Sequence, residues 1–589
     1  MRPLIAGLVN LLLALGLVLR WPFRRLRPRP EWVRLRLRGA LPYREMPRPG
    51  LRQRLMRRPP AASDVTSLHA LERLLVRLGH DARVTGIILQ LEELSLTAAK
   101  RAAIREMLSA FRARKKRVIG WVVSAASPEV ELLASADEIL VSPAGRIELT
   151  GFAAELTAIG EGLEKLGVRA EFIRRGDFKT APELFTRRDI SPIQRETTDG
   201  LLADRYRELC RTLAIGRGRT EEEIRQRIDE GPYSARRALE VGLVDGLCSE
   251  ADLPERLAPP DAKPAKDGAP ARARVGSVSG YLASLPWAPV RFRPMRRRPT
   301  LALLPVQGAI MPGVGGLSPM GRAVGADPVV RALKNLEKAP GVDAVLLQIE
   351  SPGGSALASE LILEAARRLD RKKPVLAYVD GVCASGGYMV AMGAREFWAA
   401  PTAIVGSIGV FAGKFDLSGL LGRLGVHREV LTHGQNAGLF ATSRGFTASE
   451  RAAMEQEVEE TYQAFLGIVA QGRKRTVEEI HALGEGRIFS GRAALEAGLV
   501  DRNGGFEAAC RRALELAGKG AADFDVSLVS PTARGVSLRR LVPALESTRL
   551  WAWSGPQIQF LDERPERLES VLLDRLQAAG TLAGLLAER

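Results

Sequence analysis

The sequence predicts an α/β protein of two tandem modules, with mainly parallel strands and crossover helices, behind an apolar N-terminal segment. Three observations predict it. The chain repeats itself: "GPYSARRALEVGLVDGL" at 231–247 returns as "GRIFSGRAALEAGLVDRNG" at 486–504, the shared core displaced by 256 residues. At nearly the same offset "VTGIILQLE" (84–92) pairs with "VDAVLLQIE" (342–350), and "KKRVIGWVV" (115–123) with "KKPVLAYVD" (372–380). Within each module, short apolar runs such as "AVLLQIE" alternate with helical stretches such as "LASELILEAARRLDRKK", the pattern of strand–helix–strand units. Finally, 589 residues exceed one ordinary core, and a composition 46% hydrophobic and 26% charged is that of a folding chain.

The elements follow in order. Residues 1–30 read as a membrane anchor with a basic flank. "LIAGLVNLLLALGLVL", Leu4–Leu19, is 16 residues long, somewhat short of the ~20 that span a bilayer, and Trp21 and a snorkelling Arg20 lengthen it. No small-x-small cleavage site follows, so the segment reads as retained. Residues 1–60 hold 15 Arg, no Lys and two acids, Glu31 and Glu45, and so account for +13 of the net +18. A basic patch so confined suits anionic lipid headgroups and argues against nucleic acid as a partner. Taken alone, the positive-inside rule would keep the body of the chain in the cytoplasm.

The N-terminal module is expected over 31–255, opening on "VRLRLRGALP", and the C-terminal module over 300–515, opening on "LALLPVQGAIMP". Between them, 256–299 has the Pro, Ala and charge content of a linker, although "SGYLASLPWAPV" should pack through Tyr281 and Trp287. The C-terminal tail, 516–589, carries no readable function. Cys210, Cys248, Cys383 and Cys510 are scattered, and the five histidines show no ligand spacing. No metal or other cofactor is expected.

Two glycine loops carry the chemistry. "SPGGS", Ser351–Ser355, lies between a strand and a helix, where it is either a plain turn or a pair of outward N–H groups able to hold an oxyanion. In "DGVCASGGYM", 380–389, Ser385 precedes two glycines and a helical stretch. It is either a helix cap or a nucleophile, and Gly386 would be a second oxyanion donor. The sequence is not GxSxG, and no histidine forms a triad pattern with it.

The repeat suggests another base. "RRGDFKTAPELF" puts Lys179 in a small loop of the first module, where the second has Ala437. Conversely, Ser127 stands in register with Ser385 but is followed by Pro128 and Glu129, and "EELSL" replaces "SPGGS". Each module lacks what the other has. For Lys179 to accept a proton its pKa must fall from ~10.4 towards ~7, a differential of about 4–5 kcal/mol, which burial away from carboxylates, Asp177 included, could supply.

"SPGGS", "DGVCASGGY", "VGSIGVF" and "GDFKTAPELF" together resemble the long, tandem form of the signal peptide peptidase A family, membrane-bound serine proteases on a fold related to ClpP and crotonase. The resemblance implies a Ser/Lys dyad of nucleophile Ser385 and base Lys179, with Gly354 and Gly386 as oxyanion donors and Ser407 orienting the lysine. It implies peptide substrates, signal peptides among them, and a homo-oligomer such as a tetramer. It also implies single-pass residence in a bacterial inner membrane with both modules outside the cytoplasm, against the sense of the Arg cluster. Two other readings stay open: a crotonase-like acyl-CoA enzyme and a catalytically silent membrane scaffold.

Overall fold

Each half of the chain builds its own parallel sheet. The computed structural model describes residues 30–45, 63–259, 262, 264, 269–285, 298–318, 321–520 and 524–529. The expected anchor, Leu4–Leu19, and Trp287 lie outside them, as does nearly all of the expected tail.

In the first module Trp32–Gly39, Gly86–Leu94, Arg117–Ala126 and Glu138–Glu148 lie side by side, each parallel to the next. In the second, Thr300–Gln307, Ala344–Glu350, Val375–Val379, Glu396–Ala399 and Arg502–Asn503 repeat the arrangement. Parallel sheets are covered on both faces, so their strands read as unbroken apolar runs. Every residue from Ala344 to Ile349 is buried. The crossover helices begin on side-chain caps: Ser67, Thr97 and Ser355 each accept the N–H three residues on, which satisfies one of the donors that a helix start leaves open.

The two sheets close further out than the sequence suggested. Val275–Ser277 pairs in parallel with Trp32–Arg34, and the helix Val278–Ser284 behind it buries Tyr281 to 2% exposure. Asp525–Leu528 takes the same place beside Thr300–Leu303. Part of 256–299 is therefore an edge strand and helix of the first module, and the start of 516–589 is an edge strand of the second. Strands of three and four residues at a sheet edge hold too little alternation to read from sequence.

The modules share a core. Tyr43 of the first stacks on Phe506 of the second, centroids 4.0 Å apart and 9° from parallel, with Tyr378 edge-on to both. A second junction is a two-stranded antiparallel ribbon, in which Arg169–Arg175 pairs residue for residue with Val410–Asp416. Ile173 and Ala412 seat this ribbon on Met454 and Val458 of the long helix Ala448–Arg473. All four cysteines are buried thiols. Among the described residues no helix is long and apolar enough to cross a membrane.

Candidate active site

The ribbon delivers one residue from each module to the same point. Val410–Asp416 begins just after Ser407, and its partner Arg169–Arg175 ends just before the turn carrying Lys179. Lys179 Nζ lies 3.0 Å from Ser385 Oγ, 2.9 Å from Ser407 Oγ and 3.0 Å from Ser407 O. Its side chain is 1% exposed, and burial lowers its pKa to about 7. All three partners are neutral oxygens, so nothing restores the charge that desolvation removes. A neutral amine has two N–H groups and one lone pair. Those two donors suit the two oxygens of Ser407, and the lone pair is left for the Ser385 hydroxyl.

Backbone geometry holds both serines. Ser385 has φ 53° and ψ −121°, and Ser407 has φ 54°, a region that residues with a Cβ seldom occupy. Ser385 is pinned there by its N–H on Gly406 O at 2.8 Å and by its carbonyl accepting from Met389 N–H at 2.9 Å. Ser407 donates its N–H to Arg487 O at 2.6 Å.

The lysine turn is clamped from the second module. Phe178 donates its N–H to Glu485 O at 2.8 Å, and the Arg487 guanidinium lies 3.6 Å over the Phe178 ring. Gly486 packs so closely that a Cβ there would stand 2.3 Å from Lys179 N. Within the first module, Arg174 Nη1 donates to Glu183 Oε1 at 2.7 Å and reaches Lys179 O at 3.4 Å. Sequence reasoning missed Gly486 and Arg487; the signal was "GEGRIFS", 484–490, at the head of the repeated segment, where the first copy has "DEGPYS", 229–234.

Gly354 and Gly386 adjoin each other beside Ser385. The Gly354 nitrogen is 3.3 Å from where a Cβ on Gly386 would sit, and that Cβ would also strike Ser359 Oγ at 2.3 Å. As the first residue of helix Gly386–Ala391, Gly386 has an N–H with no acceptor inside the helix. A small recess lined by Gly354, Ser385, Gly386, Met389 and Phe411 opens there. Lys179 also lines a cavity of about 470 Å³ whose walls include Ser407, Ala384, Val382 and Glu350.

The register-equivalent place in the first module is filled. Ser127 Oγ has only a long contact, 3.4 Å, to Gly151 O. The Glu129 carboxylate accepts from Leu94 N–H at 2.9 Å and Ala126 N–H at 3.2 Å, so an acid is buried beside Ser127, and Pro128, in register with Gly386, has no N–H to offer an oxyanion. Ala437, in register with Lys179, is exposed. Among the described residues one group has metal-ligand chemistry, His69, Glu72 and Glu507. It belongs to the module interface, where Arg44 already bonds Glu507 at 2.9 Å.

The sequence profile of peptidase family S49 matches residues 110–262 and again 367–519, once in each module. The chain belongs to peptidase family S49. Protease 4 of Salmonella typhi is 31% identical to this S49 chain over 451 residues, which cover 74% of this chain and 70% of that one. Protease 4 of Haemophilus influenzae is 28% identical over 448 residues, covering 74% and 71%. "Serine protease SPPA, chloroplastic" of Arabidopsis thaliana is 27% identical over 450 residues, 75% of this chain and 64% of that one, so the match spans just under two thirds of that relative. Among solved structures, a mutant ClpP1 from Listeria monocytogenes aligns over 94% of its chain and 35% of this one, with 15% identity and a TM-score of 0.24. The S49 chain is a serine peptidase of the tandem-module SppA type.

Proposed function

We propose that this serine peptidase cleaves peptide bonds through a dyad in which Ser385 is the nucleophile and Lys179 the general base. The observation that carries the reading is the 3.0 Å contact between Lys179 Nζ and Ser385 Oγ, with the amine buried. Neutral Lys179 takes the hydroxyl proton as Ser385 Oγ attacks the substrate carbonyl. The resulting oxyanion is met by the N–H groups of Gly354 and Gly386. The lysine ammonium then gives its proton to the departing amine, leaving an acyl-enzyme. Water, deprotonated by the same lysine, releases the acid and restores the serine. Ser407 holds the amine in line throughout.

The substrates in this reading are apolar peptides, released signal peptides among them. The lining of the cavity beyond Lys179, with Ala181, Pro352, Val382, Ala384, Ile404 and Ile488, supports it. The chain is anchored through Leu4–Leu19, with both modules outside the cytoplasm. Turnover of a fluorogenic apolar peptide tests the dyad: Ser385→Ala and Lys179→Ala should each abolish cleavage, and the double variant should be no worse than either. Near-normal turnover by Lys179→Ala would overturn the mechanism.

Assembly into a closed homo-oligomer such as a tetramer belongs to the same reading. The segment 427–433 is in register with Arg169–Arg175, and 152–158 with Val410–Asp416. Segments 427–433 and 152–158 are in no strand, whereas Arg169–Arg175 and Val410–Asp416 form the ribbon. The stretch 427–433 includes Leu431, 84% exposed. A copy that offers 427–433 to the 152–158 of its neighbour would repeat the ribbon between chains, a heterologous contact that closes into a ring. Light scattering on protein lacking residues 1–30 measures the mass, and a fully active monomer would defeat the assembly.

A further inference from the structure

Glu350 is the last residue of strand Ala344–Glu350 and stands directly before "SPGGS". Of the residues lining the large cavity, Lys179 and Glu350 alone are titratable; the others are small, apolar or neutral polar. The carboxyl is built in. Its Oε1 accepts from Val382 N–H at 3.0 Å, and Gly381 packs against it so tightly that a Cβ there would lie 2.3 Å from Oε1. A carboxylate has about four lone-pair sites, so backbone contacts on one side leave capacity toward the cavity.

The groups around Glu350 come from both modules. Asp380 adjoins it, receiving the hydroxyls of Tyr43 at 3.1 Å and Thr97 at 3.0 Å, with Lys100 Nζ at 3.9 Å. The buried Cys383 thiol is close enough to feel its charge. Burial, then the Asp380 charge, push its pKa up to about 8, and Lys100 and the backbone donors only partly oppose them. The Glu350 carboxyl is thus mostly protonated at neutral pH, and above about pH 8, where Lys179 is neutral, its ionisation leaves the pocket with a single negative charge.

We propose that Glu350 is a specificity residue of this cavity, receiving the cationic side chain of a lysine or arginine on the acyl side of the scissile bond. The inference rests on the peptidase reading above. The cavity reaches from Ser407 and Lys179, beside the nucleophile, to Glu350, so the side chain next to the attacked carbonyl is the one placed to enter it. In the protonated state the pocket accepts apolar side chains. In the ionised state it favours a basic one, since a desolvated carboxylate gains most from a paired cation.

The test is a competition between three fluorogenic peptides that differ only in that residue, Leu, Arg or Glu, cleaved by the full-length protein in detergent at pH 6.5 and pH 9. Each ratio of kcat/KM cancels the ionisation of Lys179, which all three substrates share. The Arg/Leu ratio should rise by about tenfold or more between the two pH values, as the ionised fraction of Glu350 climbs, and the Glu/Leu ratio should fall. In Glu350→Gln, whose side chain stays neutral, both ratios should be flat. A wild-type Arg/Leu ratio that is indifferent to pH would overturn the proposal without reference to any variant. So would the same rise in Glu350→Gln. Cleavage of none of the three by wild-type protein would reject the peptidase reading itself, and this inference with it.

Discussion

Replacing Lys179 by methionine should destroy activity and, at acid and neutral pH, stabilise the fold. Burial lowers the lysine pKa to about 7 in the folded chain, whereas an unfolded lysine titrates near 10.4, a gap worth about 5 kcal/mol against the native state at low pH. Methionine fills the same space with no charge to desolvate. It forfeits the contacts to Ser385 and Ser407, worth roughly 1 kcal/mol each, so a net gain of about 2 kcal/mol is expected at pH 6. The sign then changes with pH. Between about 7 and 10.4 the unfolded chain binds the proton that the folded chain has released, so wild-type stability rises relative to the variant through this window. By pH 10.5 the penalty is gone and the variant should be the weaker, by the lost hydrogen bonds. Thermal midpoints followed by tryptophan fluorescence at pH 6, 8 and 10.5, wild type against Lys179→Met, measure the difference with all other titrations shared. A variant equally destabilised at every pH, or one that still turns over peptide, would refute the buried neutral base.

With Lys179 as the proposed base, kcat/KM should climb about tenfold per unit below pH 7 and level off above it. Lys179→Arg, whose guanidinium keeps its proton, should be inactive up to pH 10. Ser127→Ala should leave turnover within about twofold, since Pro128 beside it has no N–H to offer an oxyanion. Gly486→Ala should cut kcat by about a hundredfold or more with the fold retained by circular dichroism, because the added methyl displaces the lysine turn and not the serine.

Much of this site was legible because the chain contains its own comparison. Aligning the two copies exposed Lys179 opposite Ala437 and Ser385 opposite a serine followed by Pro128 and Glu129, and the structure brings Lys179 and Ser385 together. Their contact was not readable from either neighbourhood, since it depends on Arg169–Arg175 pairing with Val410–Asp416, two segments that local periodicity does not connect. The main strands of both sheets followed from long apolar runs such as "AVLLQIE". The edge strands Val275–Ser277 and Asp525–Leu528 did not, being too short to show a period. Glu350 was overlooked for another reason: a charged residue ending an apolar strand looks like a solvated terminus, and only tertiary packing shows that it lines a cavity shared with Lys179.

The ribbon across the modules also bears on when the enzyme exists at all. A chain emerging from synthesis completes Lys179 long before Ser385, and neither residue has a partner until the second half has folded and its strand Val410–Asp416 has zipped against Arg169–Arg175. In the dyad reading the site is complete only when both halves are folded and docked, so a truncated or misdocked product carries no working pair. The same dependence ties the two copies together: with Ala437 in one where the other has Lys179, and Pro128 and Glu129 in the other where the first has glycines, neither half holds a complete dyad site alone.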